Sequence, residues 1–222
     1  MMGITANEVK ALREATGAGM MDCKKALQET GGDFDKAGQW LREKGIASAA
    51  KRADRAASEG AVVSYIHMKG KIGVLAEINC ETDFVARCDE FQTFCRDICL
   101  QICSASPKWI ERADVPESAI AVEKDIYRKQ ALESGKPEKV VDKIVEGKLG
   151  KWYSSVCLLE QAFVKDGDKT IEELRKELSG KVGENIVIRR FARFERGEGI
   201  EKPVSDIAAD VAAELSRHKS QG

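Results

Sequence analysis

The sequence predicts an α+β fold: an N-terminal three-helix unit, then a core in which a three-stranded antiparallel sheet packs on helices. Three observations carry this. Apolar residues recur at helical spacing through most of the chain, beginning with Val9 and Leu12. Two alternating runs, 61–68 and 72–79, flank the turn Lys69-Gly70-Lys71 and read as a hairpin. A third apolar run, 185–195, lies far downstream, with helical patterns between. Strands and helices are therefore segregated rather than alternating.

Composition sets the bounds. The 222 residues are 43% hydrophobic and 33% charged, enough for one good-sized core and a small satellite domain. The net charge of −1 exerts no long-range pull on nucleic acid or an anionic membrane. No apolar run reaches bilayer-spanning length. The N-terminus, Met1-Met2-Gly3-Ile4-Thr5, runs straight into a helix pattern without the marks of a signal or transit peptide, so a cytoplasmic protein is expected. The seven cysteines (Cys23, Cys80, Cys88, Cys95, Cys99, Cys103, Cys157) form no CxxC pair and read as mostly reduced thiols. His67 and His218 are the only histidines, which argues against a zinc site or a His-based triad.

Taken in order, Thr5 caps a first helix, about 6–15, and Thr16-Gly17-Ala18-Gly19 breaks it. A second helix, about 20–30, buries Cys23, Ala26 and Leu27 and ends at Gly31-Gly32. Asp33 caps a third, about 34–44, with Ala37, Trp40 and Leu41 inward and a stop at Gly45. Trp40 is expected at the centre of this bundle. Met21, Lys24, Lys25 and Gln28 fall on the face opposite Cys23 and Leu27. Met20 and Met21 follow a Gly-rich turn, a setting in which flexible thioethers suit protein contact. The plainer alternative packs Met20 inward and leaves Met21 incidental. Residues 47–60 read as a helical linker. Its Lys51, Arg52 and Arg55 make a solvated face rather than a nucleic-acid site, because Asp54 and Glu59 interrupt them and no aromatics accompany them.

In the hairpin, Ile72, Val74, Ala76 and Ile78 share one face. The second strand leads into Glu81-Thr82-Asp83-Phe84-Val85, a strand-to-helix turn carrying a carboxylate beside a large aromatic. Phe84 is either the first core residue of the next helix or a probe for another protein. Asp89 with Gln92 makes a capping signal for a helix of about 90–104, with Phe91, Phe94, Cys95, Ile98 and Ile102 inward. Cys95, Cys99 and Cys103 recur every fourth residue, which reads as small apolar packing rather than metal ligation. After Pro107 and Trp109, a helical arm covers about 117–159. Ile126 and Ala131 are inward, and Gly147 breaks its second helix. Residues 160–169 read as loop; Thr170 with Glu173 is a capping box opening a helix to about 178. Beyond Gly197-Glu198-Gly199 a last amphipathic helix, about 206–217, carries Ile207, Val211 and Leu215. The expected domains are 1–46, a linker 47–60, a core 61–196 and a tail module 197–222.

No phosphate loop, dinucleotide fingerprint, HExxH or nucleophile elbow occurs, and no carboxylate pair stands out. The residues describe a binding protein with no cofactor, not an enzyme. Two stretches resemble the bacterial translation elongation factor Ts family: residues 12–27 (Leu-Arg-Glu-Ala-Thr-Gly-Ala-Gly-Met-Met-Asp-Cys-Lys-Lys-Ala-Leu) and Glu77 to Arg87 around Thr82-Asp83-Phe84-Val85. Segments 183–190 and 197–202 are similar too. The resemblance implies a guanine-nucleotide exchange factor for elongation factor Tu, with a ubiquitin-associated-like N-terminal domain and an α+β dimerisation core. It implies that Met20, Met21 and Lys24 touch the partner's G domain. It further implies that Thr82, Asp83, Phe84 and Val85 enter near its magnesium and phosphate site. Longer members carry the core module twice; this chain has one copy, so a homodimer is expected, in which the second chain presents His67 to another domain of Tu. An ordinary strand histidine is the alternative for His67. The tail helix either docks on Tu or packs on this core. A ubiquitin-associated adaptor, or a thiol enzyme using Cys80 or Cys88, are the rival readings. Neither nucleic acid nor membrane is expected as a direct partner.

Overall fold

A computed structural model describes residues 4–200. Its N-terminal unit is α1 (Ala6–Thr16), α2 (Met20–Glu29) and α3 (Phe34–Ala50). Thr5 and Glu8 form a capping box at α1, and Gly17 closes it in the left-handed region. Leu12, Cys23, Ala26, Leu27 and Ala37 make the small core. Trp40 is not at its centre: it is half-buried at the rim, with the Lys44 ammonium 5.1 Å from its ring centroid.

The third helix does not stop at Gly45 but continues to Ala50. The reason is a long-range contact. A Cβ added at Gly180, on α8 (Ile171–Val182), would lie 2.8 Å from the Gly45 Cα. The missing Cβ at Gly180 thus lets the α8 backbone approach that of α3 at Gly45, and the packing offsets the roughly 1 kcal/mol that a mid-helix glycine costs.

The sheet is β1 (Glu59–His67), β2 (Ile72–Cys80) and β5 (Val187–Glu195), antiparallel in the order β1-β2-β5. Val74, Ala76, Ile78 and Ile188 face inward against α5 (Asp89–Ala105). A bulge at Arg189 interrupts β5, so Arg189 and Arg190 both reach the Glu77 carboxylate at 2.6 Å. These two guanidiniums hold the Glu77 carboxyl below its ordinary range.

On α5, Phe91, Phe94, Cys95, Ile98, Cys99, Ile102 and Cys103 are buried. The three thiols lie inside this core, and Cys99 Sγ donates to the Val63 carbonyl at 3.8 Å. The helix is capped differently from the expected motif. Cys88 is the N-cap, Asp89 sits in the first turn near the positive helix end, and Gln92 Nε2 donates to the Ala86 carbonyl instead.

The arm is α6 (Glu117–Glu133) against α7 (Glu138–Val156). Gly147 does not break α7, which is continuous through it. Ile126 is not inward; it is exposed, and Tyr127 with Ala131 packs on Val141, Val145 and Leu149 instead. Residues 160–169 are not all loop: β3 (Ala162–Phe163) pairs with β4 (Asp166–Thr170). The Thr170–Glu173 capping box opens α8 as expected. The expected tail helix, 206–217, lies outside the described residues.

Candidate functional site

Strand β2 ends in a turn held from three sides. Cys80, fully buried, donates its Sγ–H to the Thr82 carbonyl at 3.1 Å; burial, with Glu184 nearby, pushes this thiol up to about 11. Thr82 is extended and caps the short helix α4 (Asp83–Ala86), its hydroxyl accepting from the Val85 amide at 3.4 Å. The same hydroxyl donates to Glu184 Oε1 at 2.6 Å. Glu184 Oε2 accepts from the Glu81 and Thr82 amides at 2.9 and 3.0 Å. Beneath the turn Ala86 is buried and Val85 half-buried against the main core. Thr82 and Val85 therefore root α4, while Asp83 and Phe84 point outward.

Phe84 is 80% exposed. Exposing a Phe forgoes burial worth roughly 2 kcal/mol, which is not how a core residue sits. Asp83 is exposed and pairs with Arg87 one helical turn on. The turn thus presents an aromatic ring beside a carboxylate from a rigid base.

A second exposed feature is the first turn of α2. Met20 and Met21 are 42% and 77% exposed, so Met20 does not pack inward. Lys24, Lys25 and Gln28 continue the exposed face, opposite Cys23, Ala26 and Leu27. The loop before Met20 is tied to the start of α5: Lys181 packs beside Gly17 and pairs with Glu90 at 3.2 Å. His67 is not brought to either place. It is half-buried at the far end of β1, with Nδ1 3.0 Å from the Tyr65 hydroxyl. Cys80 pairs with Glu59, so His67 lies eight strand residues away from the turn, about 26 Å.

A third feature is the sheet face turned away from α5. Val62, Ile66, Leu75 and Phe194 are exposed there. The register sets Ile66, Gly73 and Phe194 side by side, and Ser64, Leu75 and Ala192 beside them.

Sequence reasoning assigned no role to Glu184 or Asn185, although both lie in a segment it singled out. Asn185 is buried, its amide nitrogen donating to Glu81 Oε1 at 2.7 Å and its Nδ2 to the Ala53 and Arg55 carbonyls at 3.0 and 2.8 Å. The one local signal is Gly183, whose φ of 79° ends α8 just before them.

A family model described as Elongation factor TS matches residues 21–179. Elongation factor Ts of Desulfitobacterium hafniense is 60% identical over 217 residues, 98% of this chain and all of that protein. That of Geobacter sulfurreducens is 57% identical over 212 residues, 96% of this chain and 98% of its own length. That of a Thermoanaerobacter species is 60% identical over 198 residues, 89% and 97% of the two chains. With the family model covering most of the chain and such identity over nearly its whole length, the chain belongs to the elongation factor Ts family.

Proposed function

We propose that this chain is a guanine-nucleotide exchange factor that binds elongation factor Tu in its GDP form and promotes GDP release during translation elongation. The observation that carries the reading is the exposure of Phe84 on a braced turn, in a chain of this family. Phe84 wedges between elements of the partner, with Thr82, Asp83 and Val85 around it, and shifts the groups that hold magnesium. Once the metal is displaced, the nucleotide phosphates lose their main counter-charge. The chain makes and breaks no bond and binds no nucleotide or cofactor itself. Coupling is reciprocal: if the chain weakens GDP binding, GDP weakens binding of the chain by the same factor, and GTP then refills the site.

Met20, Met21 and Lys24 form the second contact, on the G domain. The exposed thioethers of Met20 and Met21 support it, since they adapt to a partner surface at low cost. Two copies pair through the apolar sheet face of Val62, Ile66, Leu75 and Phe194, a patch of the kind that marks an interface. The second copy then presents His67 to another domain of Tu. Among the described residues no helix is long and apolar enough to cross a membrane. The reading places the chain in the cytoplasm, acting without direct contact to nucleic acid or lipid. The test is the rate of labelled-GDP release from elongation factor Tu with and without this chain; no acceleration overturns it.

A further inference from the structure

Three segments distant in sequence meet under the Phe84 turn: the linker at 53–55, the turn at 81–82 and the loop at 184–185. We infer that Glu184 and Asn185 are positioning residues, a junction that sets the spacing between the Phe84 turn and the three-helix unit carrying Met20 and Met21. The inference rests on the exchange-factor reading above.

The geometry is two-sided. Glu184 faces the turn, accepting from the Glu81 amide, the Thr82 amide and the Thr82 hydroxyl. Asn185 faces the linker, donating both side-chain hydrogens to the Ala53 and Arg55 carbonyls. The two sides are joined through Glu81, whose Oε1 accepts from the Asn185 amide at 2.7 Å and lies 3.6 Å from the Arg55 guanidinium. The loop itself is pinned to α8: Ser179 Oγ donates to the Glu184 carbonyl, and Arg52 Nη1 donates to the Ser179 carbonyl at 3.4 Å. Hydrogen bonds to a carboxylate are stronger than neutral ones, and a buried amide whose Nδ2 meets two carbonyls has its orientation restricted. A partner gripped at two points responds to the distance between them, because the second contact forms at an effective concentration set by the connecting chain. A wedge held in place also loses less freedom on binding than one that must be ordered first.

The test measures labelled-GDP release from elongation factor Tu over a range of chain concentrations, for the full chain and its Glu184→Ala, Glu184→Gln, Asn185→Ala and Phe84→Ala variants. Glu184→Ala is expected to lower the maximal rate about tenfold while the half-saturating concentration stays nearly constant. Glu184→Gln recovers part of the rate, since its carbonyl oxygen still accepts from an amide. Asn185→Ala is expected to raise the half-saturating concentration about tenfold with the maximal rate nearly kept. Hydrogen exchange gives an independent readout: the Glu81 and Thr82 amides exchange about tenfold faster or more in Glu184→Ala, while α5 core amides keep their protection. If Asn185→Ala loses cooperative unfolding, Arg55→Ala is the milder probe: it leaves the carbonyls that Asn185 meets in place, removes only the 3.6 Å Arg55–Glu81 ion pair, and is expected to raise the half-saturating concentration about twofold, an unchanged value in both variants counting against the junction. A wild-type maximal rate in Glu184→Ala, alongside a slow Phe84→Ala, overturns the junction and leaves the wedge standing. A Phe84→Ala variant as fast as the parent overturns the wedge, and the junction with it.

Discussion

Glu184 grips Thr82 at two atoms, accepting from its amide at 3.0 Å through Oε2 and from its hydroxyl at 2.6 Å through Oε1. The hydroxyl that caps α4 is thus itself held by Glu184, on the residue two before Phe84. Phe84 is carried outward on a turn whose Glu81 and Thr82 amides and Thr82 hydroxyl are all bonded to Glu184.

Phe84→Ala follows directly. The ring is mostly in solvent, so its removal changes unfolding free energy by no more than about 0.5 kcal/mol. If Phe84 is the wedge, GDP release slows by about tenfold or more, as truncation of an anchoring aromatic does elsewhere. Urea unfolding and labelled-GDP release on one preparation check both halves; unchanged release counts against the wedge.

The pair Gly45 and Gly180 predicts opposite outcomes for the same substitution. A Cβ at Gly180 would lie 2.8 Å from the Gly45 Cα and 3.1 Å from its carbonyl carbon, both backbone atoms that cannot swing aside. Gly180→Ala is expected to destabilise by about 1–3 kcal/mol through overpacking. At Gly45 the nearest atom to a new Cβ is at 3.7 Å, an ordinary contact. Gly45→Ala is therefore expected to stabilise by about 0.5–1 kcal/mol through helix propensity. Denaturant midpoints of the two variants decide it; equal shifts would refute the helix contact.

These two glycines show where the sequence is legible and where it is not. The N-cap at Thr5, the capping box at Thr170, the hairpin at 69–71 and the α5 core stripe are set by residues a few positions apart, and all are readable. Gly45 looks like a helix stop until Gly180 is known to lie against it. Ile126 and Tyr127 are neighbours on one helix, and only the position of α7 decides which is covered. The exposed aromatic-carboxylate pair was visible as a motif. Its support was not, because Thr82 and Glu184 are 102 residues apart and Asn185 and Ala53 are 132 apart. Hydrogen bonds between such distant residues leave no periodic trace.

The buried thiols predict a pH dependence. Burial pushes Cys80, Cys99 and Cys157 up to about 11 and Cys95 to about 12. In the unfolded chain these thiols ionise near 8.5. Folded values are raised, so the folded state holds more protons between these limits. Their contribution is fully present below about pH 8.5 and is lost as pH rises towards 11–12. Urea midpoints are expected to be flat with respect to these groups from pH 7 to 8.5 and to fall above it. Cys95→Ala should flatten part of the alkaline decline, and a midpoint that climbs above pH 9 would contradict the assignment. Thiol labelling under native conditions should reach half-buried Cys88 well before Cys95 or Cys99.

The outer sheet face predicts the assembly. Ile66 and Phe194 lie on either side of Gly73 across the sheet, 64% and 72% exposed, with Leu75 in the adjoining row. None of the three helps to fill the core beneath. Ile66→Lys with Phe194→Lys should therefore leave folding within about 1 kcal/mol of the parent while setting like charges against each other in a symmetric pair. Light scattering is expected to find the parent as a dimer and the double variant as a folded monomer. If His67 of one copy serves the other's complex, that monomer also exchanges nucleotide more slowly although Phe84 is untouched. A parent chain that is strictly monomeric and exchanges at full rate removes the pairing, and with it the role of His67.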